Sequence, residues 1–303
     1  MASEHPKLVP LLRVPAGINS HQVDVQAIHT RVYEVDPRND LTPLILLHGG
    51  GVDSALVSFG SALTTLGKHR RVIAPDLPGY GDTAFPDSSC SVPWYGEWVA
   101  ALIRRFGLDL VDLGGSSLGG WITLNMALNH PEVLRRIIAI NPGGITENFK
   151  LMHLTKWVAA HPRLANRTTR LSVSMGRRFT RRQLRSGLGM KNASALTDEL
   201  IDAVIASGKR PRAGEAFAAT QRWALTAGAE NLSLVEKLPQ IRAKTLILAG
   251  RNDKLVPVAD SIRASQLVQD GQVRVFESCG HWFVRDCPTQ FLEAVNRFLD
   301  TTH

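Results

Sequence analysis

The sequence lacks any long apolar run. No hydrophobic stretch approaches the roughly 20 residues that a transmembrane helix needs, which predicts no stable membrane insertion. The first ten residues contain no basic start followed by an apolar core, so we expect no secretory signal and a cytoplasmic location.

Cysteine is also scarce. The three cysteines, Cys90, Cys279 and Cys287, are an odd number and lack the spacing of metal ligands. Their number and spacing predict no disulfide framework and no metal site, and they are typical of a reducing compartment. Cys279 is interpreted as a small buried apolar residue, although it lies only two residues before His281.

The positive charge is distributed unevenly. The formal net charge is +8, but segment 146–222 holds fifteen Lys or Arg residues against five Asp or Glu, so the remainder is close to −2. An excess confined to one segment does not favour nucleic-acid binding by the whole protein. We expect a small-molecule substrate and, as a possible protein partner, a second copy of the chain.

Short apolar runs of strand length alternate with segments of helical spacing. We expect strands within 9–14, 23–35, 44–47, 71–74, 108–113, 136–140, 244–249 and 272–276, and helices within 55–66, 94–106, 120–129 and 289–299. Such alternation predicts an α/β fold in which helices cover both faces of a mostly parallel sheet.

Segment 145–235 interrupts this alternation. It contains no strand candidate and carries the positive excess. We interpret it as a helical cap inserted above the carboxyl ends of the strands. The expected organisation is a core formed by residues 1–144 and 236–303, with the cap between them.

A serine lies between an expected strand and an expected helix, in Gly115-Ser116-Ser117-Leu118-Gly119. A turn this sharp strains the serine backbone and leaves room only for small residues two positions away on either side. It also exposes the hydroxyl at the helix N-terminus. The pattern predicts that Ser117 is a catalytic nucleophile and that Ser116 is not.

Two further motifs follow expected strands. In His48-Gly-Gly-Gly51, the Gly50 N–H is predicted to form an oxyanion hole with the Leu118 N–H; a glycine-rich turn required only by the backbone is the alternative. His281 follows the last strand and is the candidate general base. Asp253 follows the strand before it and is predicted to orient His281; its alternative is an Asx-turn residue.

The order Ser117, Asp253, His281 and the motifs around them resemble the α/β-hydrolase fold family. Within it, His48-Gly-Gly-Gly51, Asn141-Pro-Gly-Gly144 and Cys279-Gly-His-Trp282 are similar to the meta-cleavage-product hydrolases, which cut a carbon–carbon bond in vinylogous 1,5-diketone acids. The resemblance implies that Trp282 and Gly51 line the substrate pocket and that no cofactor is needed. The chain departs from these relatives at Ser116, where they have Asn, and at Val204, where they have a cap arginine that holds the substrate carboxylate. Arg222 or another cap arginine is the alternative cation for that carboxylate.

The sequence therefore predicts a cofactor-free serine hydrolase that cleaves small apolar carboxylic esters through an acyl-enzyme. The first alternative is carbon–carbon bond hydrolysis of a meta-cleavage product by the same residues. The second is a receptor or binding protein that uses this fold without hydrolysis.

Five arginines lie within residues 177–185, and at helical spacing four of them, Arg178, Arg181, Arg182 and Arg185, share one face. This face is either a solvated helix surface or a subunit contact, or it attracts anionic substrates or an acidic membrane surface. The sequence leaves these alternatives open.

Overall fold

A computed structural model describes residues 12–86, 90–146, 161–226 and 233–300. Its strands are β1 (Asn19–Val25), β2 (Ile28–Val35), β3 (Leu44–Leu47), β4 (Val72–Pro75), β5 (Val111–Ser116), β6 (Leu134–Ile140), β7 (Lys244–Gly250) and β8 (Gly271–Phe276). Its α helices are α1 (Ala55–Phe59), α2 (Ala62–Leu66), α3 (Val92–Arg105), α4 (Leu118–Asn129), α5 (Pro162–Ser174), α6 (Arg177–Gly187), α7 (Asp198–Lys209), α8 (Glu215–Thr226), α9 (Val258–Leu267), α10 (Phe283–Asp286) and α11 (Pro288–Asp300).

The strands form one sheet in the order β1-β2-β4-β3-β5-β6-β7-β8. From β4 to β8 all neighbouring strands are parallel, whereas β1 and β2 pair antiparallel with each other and β2 pairs antiparallel with β4. The prediction of a mostly parallel sheet is thereby confirmed. Within the described ranges, no helix has both the length and the apolar character that crossing a bilayer requires.

The sheet core follows from strands that are buried on both faces. Along β3, Ile45 and Leu47 point to the face covered by α3 and α4, whereas Leu44 and Leu46 point to the face covered by α1, α2 and α11. All four side chains are fully buried. Burial on both sides explains why the strand is a continuous apolar run rather than an alternating one.

Two of the expected strands have other bounds in the structure than the sequence predicts. The strand expected over 23–35 is a hairpin of two strands, because Gln26 and Ala27 both adopt positive φ, at 50° and 62°, and reverse the chain. The strand expected over 9–14 lies partly outside the described residues, and its described part, 12–14, is not a strand.

The helix expected over 55–66 is also two helices. Gly60 has φ +47° and ends α1. The guanidinium of Arg285 lies against Gly60 and donates to the carbonyl groups of Leu56 and Val57, which satisfies two backbone acceptors at the end of α1. An arginine that is distant in the sequence therefore stabilises the end of α1, and the spacing of apolar residues within 55–66 does not indicate this contact.

The described residues between β6 and β7 contain the four α helices α5 to α8 and no strand. We refer to residues 161–226 as the helical segment. Residues 147–160 and 227–232, which belong to the expected cap, lie outside the described residues.

Candidate active site

The candidate nucleophile lies on a strained turn between β5 and α4. Ser117 has φ 53° and ψ −109°, a conformation that side chains rarely adopt. A Cβ at Gly115 would lie 2.2 Å from the Gly119 backbone, and a Cβ at Gly119 would lie 2.2 Å from the Leu47 carbonyl oxygen. The strained turn and its two obligatory small residues, both expected from the sequence, are confirmed.

The three predicted catalytic residues come together at the carboxyl ends of β5, β7 and β8. The Ser117 Oγ lies 3.0 Å from His281 Nε2, and His281 Nδ1 lies 2.8 Å from Asp253 Oδ2. The Asp253 side chain is fully buried and that of His281 is 9% exposed. This is the hydrogen-bonded arrangement in which a base can take the serine proton while a carboxylate holds the imidazole tautomer.

Asp253 also fulfils its alternative as a turn residue. Its Oδ1 accepts hydrogen bonds from the N–H groups of Leu255 and Val256, at 2.7 and 3.0 Å. One carboxylate oxygen of Asp253 thus holds the loop, and the other accepts a hydrogen bond from His281. The loop bonds orient the carboxylate, so the two interpretations are compatible.

Asn141 holds the His281 loop in place, a function that the sequence did not reveal. Its side-chain N–H donates to the carbonyl groups of Gly280 and His281, and its Oδ1 accepts from the Gly250 N–H. Asn141 therefore joins the ends of β6 and β7 to the loop that follows β8. A polar residue before Pro142 at a strand end was the signal available in the sequence.

Cys279 and Cys287 form a disulfide, with their Cα atoms 5.9 Å apart. The expectation of no disulfide is wrong, whereas Cys279 is buried in the apolar core, as expected. The turn after β8 and the short α10 fold back and bring the two cysteines together, and the odd total comprises this pair and Cys90, which lies outside the disulfide. The cysteines consequently give no support to a reducing compartment.

A buried carboxylate closes the same loop. Asp286 accepts hydrogen bonds from the N–H groups of Gly280, Lys191 and Asn192, at 2.7 to 3.1 Å. It therefore connects the loop that carries His281 to the helical segment. The His281 N–H adds a bond of 2.7 Å to the Leu188 carbonyl.

We expect reduction of the Cys279–Cys287 disulfide to lower the free energy of unfolding by about 2–3 kcal/mol, because the bond closes a loop of only eight residues in sequence separation. The measurement is denaturant unfolding with and without reductant. The double variant Cys279→Ala/Cys287→Ala is the matched control and should not respond to reductant. An unchanged wild-type transition on reduction would contradict the pairing.

The glycine loop after β3 lies beside Ser117. A Cβ at Gly49 would be 3.5 Å from the Ser117 Cβ, and β3 is the direct neighbour of β5 in the sheet. Within the described chain, the N–H groups of Gly50 and Leu118 donate no hydrogen bond to a protein acceptor. Both predicted oxyanion donors are thus available to a substrate.

Two buried polar groups hold this loop. His48 Nε2 accepts from the Leu77 N–H at 2.9 Å, so the proton is on Nδ1, which donates to the Gly49 carbonyl. Asp53 accepts from the Gly49 N–H and from the Ser58 hydroxyl. Because Asp53 accepts from the N–H of Gly49, that group is not available to a ligand, whereas the neighbouring N–H of Gly50 is. Asp53 was not identified from the sequence.

Buried charges support the loops around the site. Burial raises the pKa of Asp76, whose carboxylate accepts from the N–H groups of Ala55 and Asp82 and so holds the loop after β4. Burial also lowers the pKa of Arg285, against the opposing effect of the nearby Asp53 carboxylate.

A cavity of about 240 Å³ opens onto Ser117 and His281. Gly51 and Trp282, both expected to line a substrate pocket, are in its wall. The apolar part of its wall is supplied by Val52, Val57, Leu184, Leu188, Val204, Phe217 and Leu255, and Ser116 also lines the cavity. Among the described residues in this wall there is no lysine or arginine, and the carboxylate present is that of Asp53.

Gly50 and Gly51 are glycines for separate reasons. A Cβ at Gly50 would lie 2.4 Å from the Phe217 ring, whereas Gly51 has φ +80° and faces open space. Packing and backbone conformation therefore explain why these two positions are glycine. They do not exclude the oxyanion-hole interpretation, because the Gly50 N–H donates no hydrogen bond to a described protein acceptor.

The chain matches the α/β hydrolase fold family over residues 42–286. It is 31% identical over 285 residues to 2-hydroxy-6-oxo-2,4-heptadienoate hydrolase of Pseudomonas putida, covering 90% of this chain and 93% of that protein.

Solved structures share the fold at lower identity. A meta-cleavage product hydrolase of Pseudomonas fluorescens superposes with a TM-score of 0.75 at 24% identity, covering 94% of this chain and 99% of the other. The naproxen esterase of Bacillus subtilis superposes with a TM-score of 0.72 at 22% identity, covering 96% and 93%. The solved structures show the fold, and the family match over most of the chain, together with the 31% identical relative, shows that this protein is a hydrolase that belongs to the α/β-hydrolase fold family.

Proposed function

We propose that the protein hydrolyses small, uncharged, apolar carboxylic esters through an acyl-enzyme on Ser117. The observation that carries this proposal is the apolar cavity of about 240 Å³ at the Ser117–His281–Asp253 hydrogen bonds, whose described wall has no cationic side chain. Such a cavity favours a neutral apolar substrate over an anionic one, since an unpaired anion is costly to bury.

The chemistry follows from the atoms in place. Ser117 Oγ attacks the ester carbonyl carbon while His281 Nε2 takes the hydroxyl proton, and the Nδ1–H of His281 donates to Asp253 Oδ2. The N–H groups of Gly50 and Leu118 receive the oxyanion, and losing one such donor typically costs about 10²–10³ in rate. His281 then protonates the departing alcohol, and water releases the acid by the reverse sequence.

We further propose that segment 145–235 acts as the cap that selects the substrate. Leu184, Leu188, Val204 and Phe217 come from the helical segment and supply one side of the cavity wall. Their side chains are apolar and vary in size, so their replacement would change the acyl or alcohol group that fits without altering the catalytic atoms.

A second candidate is carbon–carbon bond hydrolysis of a dienoate, which the name of the Pseudomonas putida relative favours. This reaction would place the substrate carboxylate near Val204, where the meta-cleavage-product hydrolases are expected to have an arginine. In this chain Val204 is buried in the cavity wall. A carboxylate without a cation in a closed apolar site costs several kcal/mol, so we rank this candidate second.

We expect the kcat/KM for a p-nitrophenyl butanoate to exceed that for a phenyl-substituted 2-hydroxy-6-oxo-dienoate by at least about tenfold, a difference of roughly 1.4 kcal/mol in transition-state binding. Both substrates are measured on one enzyme preparation. A faster dienoate would reverse the ranking. Turnover of neither substrate, by folded protein, would favour the binding-protein alternative.

A substitution at Val204 tests whether the missing cation determines this ratio. Val204→Arg supplies the missing cation at the cavity wall, so it should lower ester turnover and raise the dienoate-to-ester ratio of kcat/KM. Val204→Met is the matched control, because it lengthens the side chain without adding charge. If the two variants changed the ratio equally, the carboxylate argument would fail.

A further inference from the structure

A second concave site lies next to the catalytic cavity and is lined by positive charge. It is a cleft of about 690 Å³ between α6, the loop after it and the loop that follows β7. Six cationic side chains face it: Arg178, Arg181, Arg182, Arg185, Lys191 and Lys254. Its described lining contains no acidic residue. We call it the basic cleft.

Most of this charge is not neutralised by the described protein. Arg181 forms an ion pair with Asp198. The other five cations have no hydrogen bond or ion pair from their side chains to a described residue. On α6, Arg178 and Arg182 are four residues apart, as are Arg181 and Arg185, and like charges at this spacing destabilise a helix. The basic cleft therefore keeps a repulsive charge cluster that an anionic ligand would relieve.

The basic cleft and the catalytic cavity share walls. Along α6 and the residues just after it, Leu184 and Leu188 face the catalytic cavity while Arg185 faces the cleft. In the loop after β7, Leu255 lines the cavity and Lys254 the cleft. Adjacent residues of the same two segments thus line the two sites, and no cationic group of the cleft is among the residues that line the apolar cavity.

We propose that the basic cleft binds a small ligand that carries two or more phosphate groups. Guanidinium groups present paired N–H donors that match phosphate oxygens, and Arg178, Arg182 and Arg185 on one helix have no described partner for these donors. The volume of about 690 Å³ is within the usual range of small-molecule sites. This proposal does not depend on the substrate of Ser117.

The test is calorimetric titration of the full-length protein with inorganic pyrophosphate at low ionic strength. We expect wild-type protein to bind it, and Arg182→Gln/Arg185→Gln to bind at least about tenfold more weakly. The matched control is Arg104→Gln/Arg105→Gln, which removes the same charge from exposed positions at the end of α3 and should bind as wild type does. Thermal unfolding verifies that both variants are folded. Added salt should weaken wild-type binding, because it screens exposed charges.

Three results would overturn the proposal. The first is that wild-type protein does not bind pyrophosphate. The second is that pyrophosphate binding weakens equally in the cleft variant and in the control variant. The third is that wild-type protein binds phosphatidylglycerol vesicles but not pyrophosphate. The last result would assign the arginine face to an acidic membrane surface instead. Vesicles of phosphatidylcholine serve as the uncharged reference in that arm.

Discussion

Replacing Ser117 by alanine should abolish ester hydrolysis, with a fall in kcat/KM of at least about 10⁴. Ser117 Oγ is the described hydroxyl within hydrogen-bond distance of His281 Nε2, so its removal leaves the base without a nucleophile to activate. The measurement is the initial rate with p-nitrophenyl butanoate. Alanine keeps the Cβ that serine already places in this strained conformation, so we expect the variant to fold.

Ser116→Ala is the matched control for this variant. Ser116 is the last residue of β5 and is 3% exposed, but it has no hydrogen bond to His281. It should keep most of the wild-type rate. If Ser116→Ala lost as much activity as Ser117→Ala, or if Ser117→Ala retained a tenth of it, the assigned nucleophile would be wrong.

Asp253→Asn should lower the rate by as much as roughly 10⁴ without unfolding the loop. In the variant, the single amide oxygen is expected to keep the bonds from the Leu255 and Val256 N–H groups, which Asp253 Oδ1 accepts now. The amide N–H₂ then faces His281 Nδ1. That atom must become an acceptor, so the proton moves to Nε2, which can no longer accept from Ser117.

Asp270→Asn makes the same charge change at an exposed position before β8, at the opposite end of the sheet, and should leave the rate unchanged. The measurement is the rate of ester hydrolysis by the two variants at the same pH. Retention of more than a tenth of the wild-type rate in Asp253→Asn would indicate that another acid orients His281.

The catalytic geometry was accessible from the sequence because its determinants are local. The glycines at positions 115 and 119 and the strand-to-helix change identify the turn at Ser117. The positions of Asp253 and His281 just after strands place them at the same edge of a parallel sheet, since all such strands end there. Chain order and local spacing thus specify three side chains that are 28 to 164 residues apart.

The supporting interactions were not accessible, because they join distant residues. Asn141 reaches Gly280 and His281 across about 140 positions, and Asp286 reaches Lys191 across 95. Arg285 ends α1 from more than 220 residues away. No periodicity or local motif encodes such contacts, so the sequence identified the catalytic groups and missed the residues that hold them.

The disulfide was missed for a related reason. Whether two cysteines pair depends on the distance between their Cα atoms, and the fold-back that brings Cys279 and Cys287 to 5.9 Å depends on where β8 ends and α10 begins. The number of cysteines bears on the redox state of the compartment. It does not determine whether two particular cysteines lie close enough to pair.

The central claim is that Ser117 forms the covalent intermediate, and peptide mapping after reaction with a serine-directed phosphonate tests it most directly. We expect one adduct per chain, located on the peptide that contains Ser117, and parallel loss of ester hydrolysis. Ser117→Ala should take up no label. An adduct on any other residue, or full ester turnover by protein that carries the label, would contradict the account.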